Sequence, residues 1–453
     1  MNPMNLSRSR DLARSLGLGS SRGSRSESWR SSWIVSSVRS AGLLAMTVTL
    51  LAPFALRAEN LAVTGETVYT MAGAPLKNGV VLIHDGKIEA VGSADAMKIP
   101  AGYRVLKAAI VTPGLIDAHA TVGLSGLLNQ TQDQDMLEKS SSVQPELRAI
   151  DAYNAKDPLV AWVRSFGVTT VNTGHAPAAL ISGQTMIVKT FGRTADEDVI
   201  NPAAMTCVTL GRNGLTVVEG PPGQGGPSAT KSPGNRSKAV AMLRAELIKA
   251  QEYAKKREAK DETKRPGRDL KYETLLRALD GSQRLLVTAN RQQDIISALR
   301  LAKEFNLKIV LDGCADAPAV LAEIKASGFP VIVHPTMQRS YEDMENLSVE
   351  TAGQLHTAGI PIALQSSYEG YVPKTRVVLL EAAVAAANGL GFDGALASIT
   401  SDAAKLLGIA DRTGSLVAGK DADLALYDGD PFEYTSHCTG TIVGGVAFAD
   451  GPR

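Results

Sequence analysis

The stretch PGLIDAHATVG, residues 113–123, has the pattern of a strand end that could carry a metal ligand. Side chains alternate between the two faces of a strand, so a His-x-His pair would direct both imidazoles to one side and could bind one metal ion. In this chain His119 is followed two residues later by Thr121. Half of the metal-binding pair is therefore absent.

The middle of the chain predicts the scaffold that positions this strand end. Short apolar runs such as VTTVNT, RLLVTA, LKIVLD and PVIVH alternate with helical stretches such as RQQDIISALRLAKEF. Such runs are typical of parallel strands buried on both faces. Repeated units over roughly 260 residues favour an α/β fold of the (β/α)8 TIM-like barrel type, which we place at residues 111–404.

The two ends of the globular part consist of short β-type runs separated by turn residues. Residues 59–110 contain the hairpin pattern HDGKIEAVG, and residues 405–453 contain the apolar runs DADLALYD and TIVGGVAFAD between turn residues. Neither end could bury a core alone. We therefore predict that both ends meet and form one small β-sandwich domain.

Residues 1–58 have the composition of an export signal. An Arg/Ser-rich stretch precedes the apolar run AGLLAMTVTLLAPFAL, and cleavage after Ala58 predicts an exported, periplasmic protein. Leu56 is larger than the residue such cleavage sites prefer, so an uncleaved membrane anchor is the alternative.

The charge balance of the remaining chain argues against a nucleic-acid partner. Residues 1–58 hold eight of the 47 basic and two of the 46 acidic residues, which leaves 39 basic and 44 acidic residues. A mildly acidic chain lacks the basic surface that binds nucleic acid, and we expect membrane contact only through an uncleaved N-terminal segment.

Cys207, Cys314 and Cys438 match no zinc spacing and are expected to be buried apolar residues. The oligomeric state is left open.

Three segments together resemble the metal-dependent amidohydrolase superfamily, in particular its imidazolonepropionase-like, exported branch. They are the opening that ends in HDGKIEAVG, the strand VTPGLIDAH, and the closing segment ITSDAAKLLGIADRTGSLVAGKDADLALYDGDPF. The resemblance covers nearly all of residues 59–453, and PGLID and GSLVAGKDADL are its most specific runs. It implies a barrel with a sheet domain built from both ends and a metal site at the C-terminal mouth of the barrel.

The resemblance also implies a set of metal ligands that this chain largely lacks. The family has a His-x-His pair on the first strand, a Lys or Glu on a middle strand, a His on each of the fifth and sixth strands, and an Asp on the eighth. The positions that correspond to the second His of the pair, the two later His residues and the Asp are occupied here by Thr121, by Thr288 beside Asn290, by Asp312, and by Gln365 with Ser366.

The replacements have a direct chemical consequence. One His with neutral oxygens from Thr, Asn, Gln and Ser does not hold zinc against water, and without the eighth-strand Asp no base takes the proton of the attacking water. We therefore interpret the chain as a degenerate enzyme or binding protein. No cofactor is expected, and His119, Thr121, Thr288, Asn290, Asp312, Gln365 and Ser366 would line a pocket for a small-molecule or peptide-like ligand.

The first alternative is an active hydrolase of a cyclic amide, imide or dipeptide-like substrate. His119, His175 and His334 follow apolar runs whose ends would meet at one barrel mouth, and Asp312 comes from the same layer. Together these four could form a rearranged site for one divalent metal such as zinc. Lys189 in TMIVKTF could bind a metal if it were carbamylated. We expect it instead to be a lysine at a strand end that reaches solvent.

Two further alternatives need no metal. A nucleophile such as Ser125 or Cys314 would require an adjacent base, for which His119 is the candidate. The chain could also be an interaction or scaffold protein of the cell envelope, in which case the long Gly/Pro-rich loop after residue 215 would matter more than the barrel mouth.

Overall fold

The computed structural model describes residues 59–128, 130–138, 140–215, 233–368 and 376–449. The predicted export signal and most of the Gly/Pro-rich loop lie outside these residues. The strands of the described part are β1 (Leu61–Val68), β2 (Leu76–His84), β3 (Lys87–Ser93), β4 (Arg104–Pro113), β5 (Leu115–Ala120), β6 (Val168–Thr173), β7 (Ile181–Gln184), β8 (Met186–Lys189), β9 (Val199–Asn201), β10 (Met205–Thr209), β11 (Arg284–Ala289), β12 (Ile309–Gly313), β13 (Val331–Val333), β14 (Ile362–Ala363), β15 (Leu424–Tyr427), β16 (Cys438–Val443) and β17 (Val446–Phe448).

Helices follow most strands of the central region. They are α1 (Pro158–Arg164), α2 (Ala195–Asp198), α3 (Arg236–Arg257), α4 (Leu270–Leu279), α5 (Gln292–Phe305), α6 (Leu321–Ser327), α7 (Thr351–Thr357), α8 (Val378–Ala385), α9 (Gly391–Ser398) and α10 (Ser401–Leu407). Apolar residues of most of these helices pack on the outside of the central strands in one large cluster, whereas those of α10 belong to a separate cluster. This alternation of buried strands with covering helices is the pattern that the sequence predicted.

Both ends of the described chain form one sheet, as predicted. Its strand order is β17-β16-β15-β4-β1-β2-β3, and β15 from the C-terminal part pairs antiparallel with β4 from the N-terminal part. Apolar clusters cover it, the larger of them built from residues of both ends. The seven strands form one continuous sheet.

The central strands form the predicted TIM-like barrel. Strands β10 to β14 pair parallel in sequence order, and β5 pairs parallel with β6. The barrel closes between its first and last strands, where Ala118 N–H donates to Leu364 O and Ser367 N–H donates to His119 O. The C-terminal ends of these strands therefore meet at one mouth.

The third barrel segment, β7 with β8, runs against its neighbours. Strand β8 pairs antiparallel with β6, and β7 pairs antiparallel with β10. Thr185, between them, exchanges backbone hydrogen bonds with the start of β10. The end of this segment thus lies at the floor of the barrel, while the ends of the parallel strands lie at the mouth.

The boundaries between barrel and sheet differ slightly from the expected ones. Strand β4 stays in the sheet through Pro113, two residues beyond the expected barrel start. Helix α10 continues through Leu407, and its Ala403, Ala404 and Leu406 pack against the apolar interior of the barrel. The structure therefore assigns α10 to the barrel.

One described helical stretch, Val378–Ser398, is long and apolar enough to cross a membrane, with a mean hydropathy of 1.2. The same composition is typical of a core helix. Ala382, Ala385 and Leu396 belong to the core around the barrel, and the helical backbone is interrupted at Asn388.

Candidate functional site

The interior of the barrel is apolar in its middle and polar towards the mouth. Leu286, Val310 and Ile332 fill the interior below. The side chains two residues further along the same strands are Thr288, Asp312 and His334, all of them buried. Because side chains in a strand repeat every two residues, each points to the same face as the apolar residue beneath it.

Asp312, at the end of β12, is the centre of a hydrogen-bonded network. His119 Nδ1 donates to Asp312 Oδ1 at 3.1 Å, and Gln365 Nε2 donates to the same oxygen at 2.8 Å. Thr288 Oγ1 donates to the other carboxylate oxygen at 2.5 Å. The structure therefore joins three replaced ligand positions and the one remaining His in a single network.

His119 and Asp312 form a buried ion pair, with side chains 3% exposed each. Burial alone would lower the pKa of His119, but the facing Asp312 carboxylate outweighs it and raises the pKa to about 10. The Cys207 thiol, beside the same ring, adds to the rise. Burial acts to raise the pKa of Asp312, and the His119 charge holds it below its usual value. The Asp312 carboxylate therefore favours the imidazolium form of His119.

We expect His119 to make stability fall as the pH rises from about 7 towards 10. Its pKa is about 10 in the folded chain and about 6.5 in an unfolded one, so the folded state keeps a proton that the unfolded state releases. The resulting stabilisation is complete below the unfolded pKa and is lost as the pH approaches the folded value. Urea unfolding of the wild type and of His119→Gln at three pH values in this window measures it. Stability of the variant should change less with pH, and parallel profiles would show that His119 is not charged.

The rest of the expected pocket is divided between two places. Thr288, Asn290, Asp312 and Gln365 line a pocket of about 210 Å³ at the mouth, together with His334. Thr121 and Ser366 are not part of that lining. Thr121 Oγ1 donates to Ser125 Oγ at 3.3 Å, and Ser366 donates from its backbone and its hydroxyl to Asp117.

The rearranged metal site of His119, His175, His334 and Asp312 is not assembled. Within the described ranges, no three His, Cys, Asp or Glu side chains come close enough to hold a metal ion. His119 and Asp312 contact each other, but His334 Nδ1 donates to the Pro335 carbonyl at 3.0 Å. His175 lies against Gly183 of the antiparallel strand β7. Burial lowers the pKa of His334 to about 4 and also lowers the pKa of His175, so both are neutral at pH 7.

The candidate nucleophiles are engaged elsewhere. Ser125 Oγ donates to the Thr121 carbonyl at 3.1 Å. Cys314 is fully buried, and burial raises the pKa of its thiol well above the usual value. Cys314 Sγ contacts the Asp312 backbone carbonyl at 3.8 Å, so both candidate nucleophiles have backbone oxygens as partners in place of His119.

Lys189 neither reaches solvent nor lies at the mouth, contrary to expectation. It ends the antiparallel strand β8, opposite Thr170 near the start of β6, and so lies at the barrel floor. There it forms a buried ion pair with Asp423 and a second one, at 3.2 Å, with Asp421. No residue pattern in the run TMIVKTF indicates that this strand reverses direction.

Two buried carboxyls near the mouth were missed from the sequence. Asp117 accepts hydrogen bonds from Ser366, and burial raises its pKa to about 6. Glu381, on α8, accepts from Thr336 and from the Met337 backbone, and burial raises its pKa to about 7. For Asp117 the available signal was its spacing of two residues from His119 in LIDAH. For Glu381 it was the isolated Glu in the apolar run VVLLEAAV.

Cys207, whose thiol contacts the His119 ring, was also missed. It was treated as a small apolar residue, and the run MTCVTL that forms β10 was not identified as a strand. Two-residue alternation from Thr209 would have placed Cys207 on the interior face.

Comparisons with known proteins agree with this architecture. A model described as "Amidohydrolase family" matches residues 384–448. The amidohydrolase tasK of Hapsidospora irregularis is 25% identical over 371 residues, which are 76% of this chain and 36% of that protein. The chain thus spans about a third of the length of this relative. An imidazolonepropionase of Mesorhizobium japonicum is 42% identical over 71 residues, 16% of this chain and 17% of that protein.

Solved structures extend the likeness over the barrel and the sheet. An amidohydrolase from Thermotoga maritima MSB8 has a TM-score of 0.77 and 27% identity, and the match covers 85% of this chain and 99% of that one. A prolidase complexed with N-methylphosphonate-L-proline has a TM-score of 0.52 at 15% identity, with 86% and 99% covered. The second likeness concerns the fold alone.

Proposed function

The chain belongs to the amidohydrolase superfamily, and within it we propose a degenerate member that binds a small ligand at the barrel mouth without a metal centre. The Asp312 network carries this proposal. Where the family resemblance implies ligands around a cation, this chain has a carboxylate that accepts hydrogen bonds from His119, Thr288 and Gln365. The positive charge facing Asp312 is the imidazolium of His119.

The donor set does not fit a catalytic metal. His119 directs its Nδ1 nitrogen at Asp312, and that carboxylate raises the pKa of the ring, which favours the protonated form that cannot bind a metal. The Gln365 amide nitrogen, a donor, faces Asp312, and the Thr288 hydroxyl also donates to it. These groups are hydrogen-bonded to Asp312, and a metal at the Asp312 carboxylate would have to break those hydrogen bonds before it could bind.

A strong water-activating base is also lacking in this network. Thr288 and Gln365 do not accept a proton near neutral pH, and the His119 charge lowers the pKa of Asp312, which makes its carboxylate a weak proton acceptor. Hydrolysis of an amide requires both an activated water and polarisation of the carbonyl group. The arrangement supports ligand binding better than catalysis.

We expect the protein to fold without bound metal. Elemental analysis after exhaustive dialysis without chelator should find zinc, iron, nickel and manganese far below one per chain, and EDTA should leave Tm unchanged. A metal at about one per chain would overturn the proposal and favour the active hydrolase. The variants His119→Ala, His175→Ala and His334→Ala would then locate its ligands.

We also propose that the protein acts outside the cytoplasm, on the basis of the composition of residues 1–58. N-terminal sequencing of protein from the periplasmic and membrane fractions distinguishes cleavage after Ala58 from retention as an anchor. Recovery of the intact chain from the cytoplasm would contradict export.

A further inference from the structure

A groove of about 580 Å³ lies at the floor of the barrel. Arg284, which lines it, is the first residue of β11, and the lining residues Pro330 and Pro361 directly precede β13 and β14. Because these parallel strands end at the mouth, their first residues lie at the opposite end of the barrel. Leu406, near the end of α10, also belongs to the lining. The volume is within the range of about 300–1,000 Å³ that is typical of small-molecule pockets.

Arg284 brings a partly buried positive charge to this groove. Its Nη1 donates to the Leu406 carbonyl at 2.5 Å, which satisfies one carbonyl at the C-terminal end of α10. Among the residues that the structure describes, no carboxylate forms an ion pair with the guanidinium. Burial lowers the pKa of Arg284, and no neighbouring acid offsets it. A cation that is withdrawn from water without a counter-charge is costly.

The bond to Leu406 uses only one corner of the guanidinium group. This group has five N–H donors in a planar fork, and its Nε and Nη2 atoms form an edge that can pair with both oxygens of a carboxylate. Neither atom has a hydrogen-bond partner within the described part of the chain, and neither is enclosed by protein. Capping of α10 therefore does not account for this edge of Arg284, which stays open to a ligand.

The remaining charged side chains leave the positive charge of Arg284 in excess. Lys405 and Asp402, which also line the groove, pair with each other at 2.9 Å on α10 and together contribute no net charge. Pro330 and Pro361 add apolar surface to the lining. The groove thus combines one cation that has open donors with apolar walls.

We propose that the floor groove binds a small carboxylate with an apolar tail, held by the open edge of Arg284. This site lies beyond the proposed function, because it is at the opposite end of the barrel from the mouth. The two carboxylate oxygens would accept from Nε and Nη2, and the tail would cover Pro330 and Pro361. A monoanion matches the single unbalanced charge of the groove. An amine would face the like charge of Arg284 and is disfavoured.

Three probes test the head group: sodium hexanoate, hexanamide and inorganic phosphate. Binding to the full-length protein is measured by saturation-transfer NMR at about pH 7.5, where a carboxylate is ionised. We expect hexanoate to bind, hexanamide to bind at least about tenfold more weakly, and phosphate in excess not to displace hexanoate.

Two matched variants locate the site. Arg284→Met keeps the length of the side chain but removes the guanidinium, and it should weaken hexanoate binding at least about tenfold. Arg300→Met makes the same change at an exposed position of α5 outside the groove lining and should leave binding unchanged. If Arg284→Met fails to fold, Arg284→Lys keeps a positive charge at the end of α10 and loses the two-pronged edge, so it should still weaken binding.

Each result either supports or contradicts the floor site. Hexanoate binding that is lost in the Arg284 variants and kept in Arg300→Met supports it. Equal binding of hexanoate and hexanamide, or displacement by phosphate, would overturn the inferred carboxylate chemistry. No binding of hexanoate, or binding unaffected by the Arg284 variants, would overturn the site. Stoichiometric metal would overturn only the proposed function of the mouth, so the two failures are distinguishable.

Discussion

Replacing Asp312 by Asn is expected to lower the free energy of unfolding by about 3–5 kcal/mol, the range for breaking one partner of a buried ion pair. The shape of the side chain is kept, but its charge is lost. Without that carboxylate, burial would lower the pKa of the His119 ring, which is 3% exposed, and the stabilisation by the ion pair would be lost. The amide nitrogen of the new Asn would also replace an oxygen that accepts from Thr288 or from Gln365.

Urea unfolding at pH 7 measures this effect, and a matched variant controls for the substitution itself. Asp151→Asn makes the same change in an exposed pair with Arg148, whose side chains are 53% and 59% exposed. The expected cost there is below about 1 kcal/mol, as for other surface pairs. If Asp312→Asn and Asp151→Asn cost the same, the buried pair is not ionised.

The double variant Asp312→Asn with His119→Gln separates the pair from its surroundings. Removing both charges leaves no buried charge without a partner, so the double variant should be more stable than the sum of the single effects predicts. A strictly additive result would show that His119 and Asp312 do not interact.

The architecture could be predicted because it depends on local patterns. Apolar runs such as RLLVTA and LKIVLD fix which strands are buried on both faces, and the β-rich ends of the chain have no core of their own. The direction of β8 could not be predicted in this way. The run TMIVKTF is buried whichever way it runs, since all four residues of β8 are buried, so hydrophobicity carries no information about its orientation.

The candidate site was predictable in its members but not in its contacts. The ends of the strands pointed to Asp312, Thr288 and Gln365. That Asp312 bonds His119, 193 residues away, and Gln365, 53 residues away, depends on the register of the closed barrel. His175 and His334 follow strands as well, yet the His175 ring lies against Gly183 of β7 and the His334 Nδ1 atom donates to a backbone carbonyl. A position at the end of a strand therefore does not show which residues join the Asp312 network and which do not.

Lys189 provides the second large effect. Replacing it by Met should cost about 3–5 kcal/mol, because Asp423 and Asp421, 1% and 9% exposed at their side chains, would lose the cation between them. Asp421 would keep Lys87 at 2.6 Å and Arg412 at 3.1 Å. Asp423 would keep only neutral donors, the Thr413 hydroxyl at 2.7 Å and the Gly444 N–H at 3.0 Å. The loss therefore falls mainly on Asp423.

This ion pair joins the floor of the barrel to the sheet, since Lys189 belongs to β8 and Asp423 precedes β15. Urea unfolding measures the cost, with Lys249→Met as the control. Lys249 is 54% exposed and pairs with Glu246 on the same helix, so its replacement should cost less than about 1 kcal/mol. If Lys189 were instead a metal ligand, its replacement would remove bound metal. Equal stability of Lys189→Met and the wild type would contradict the ion pair.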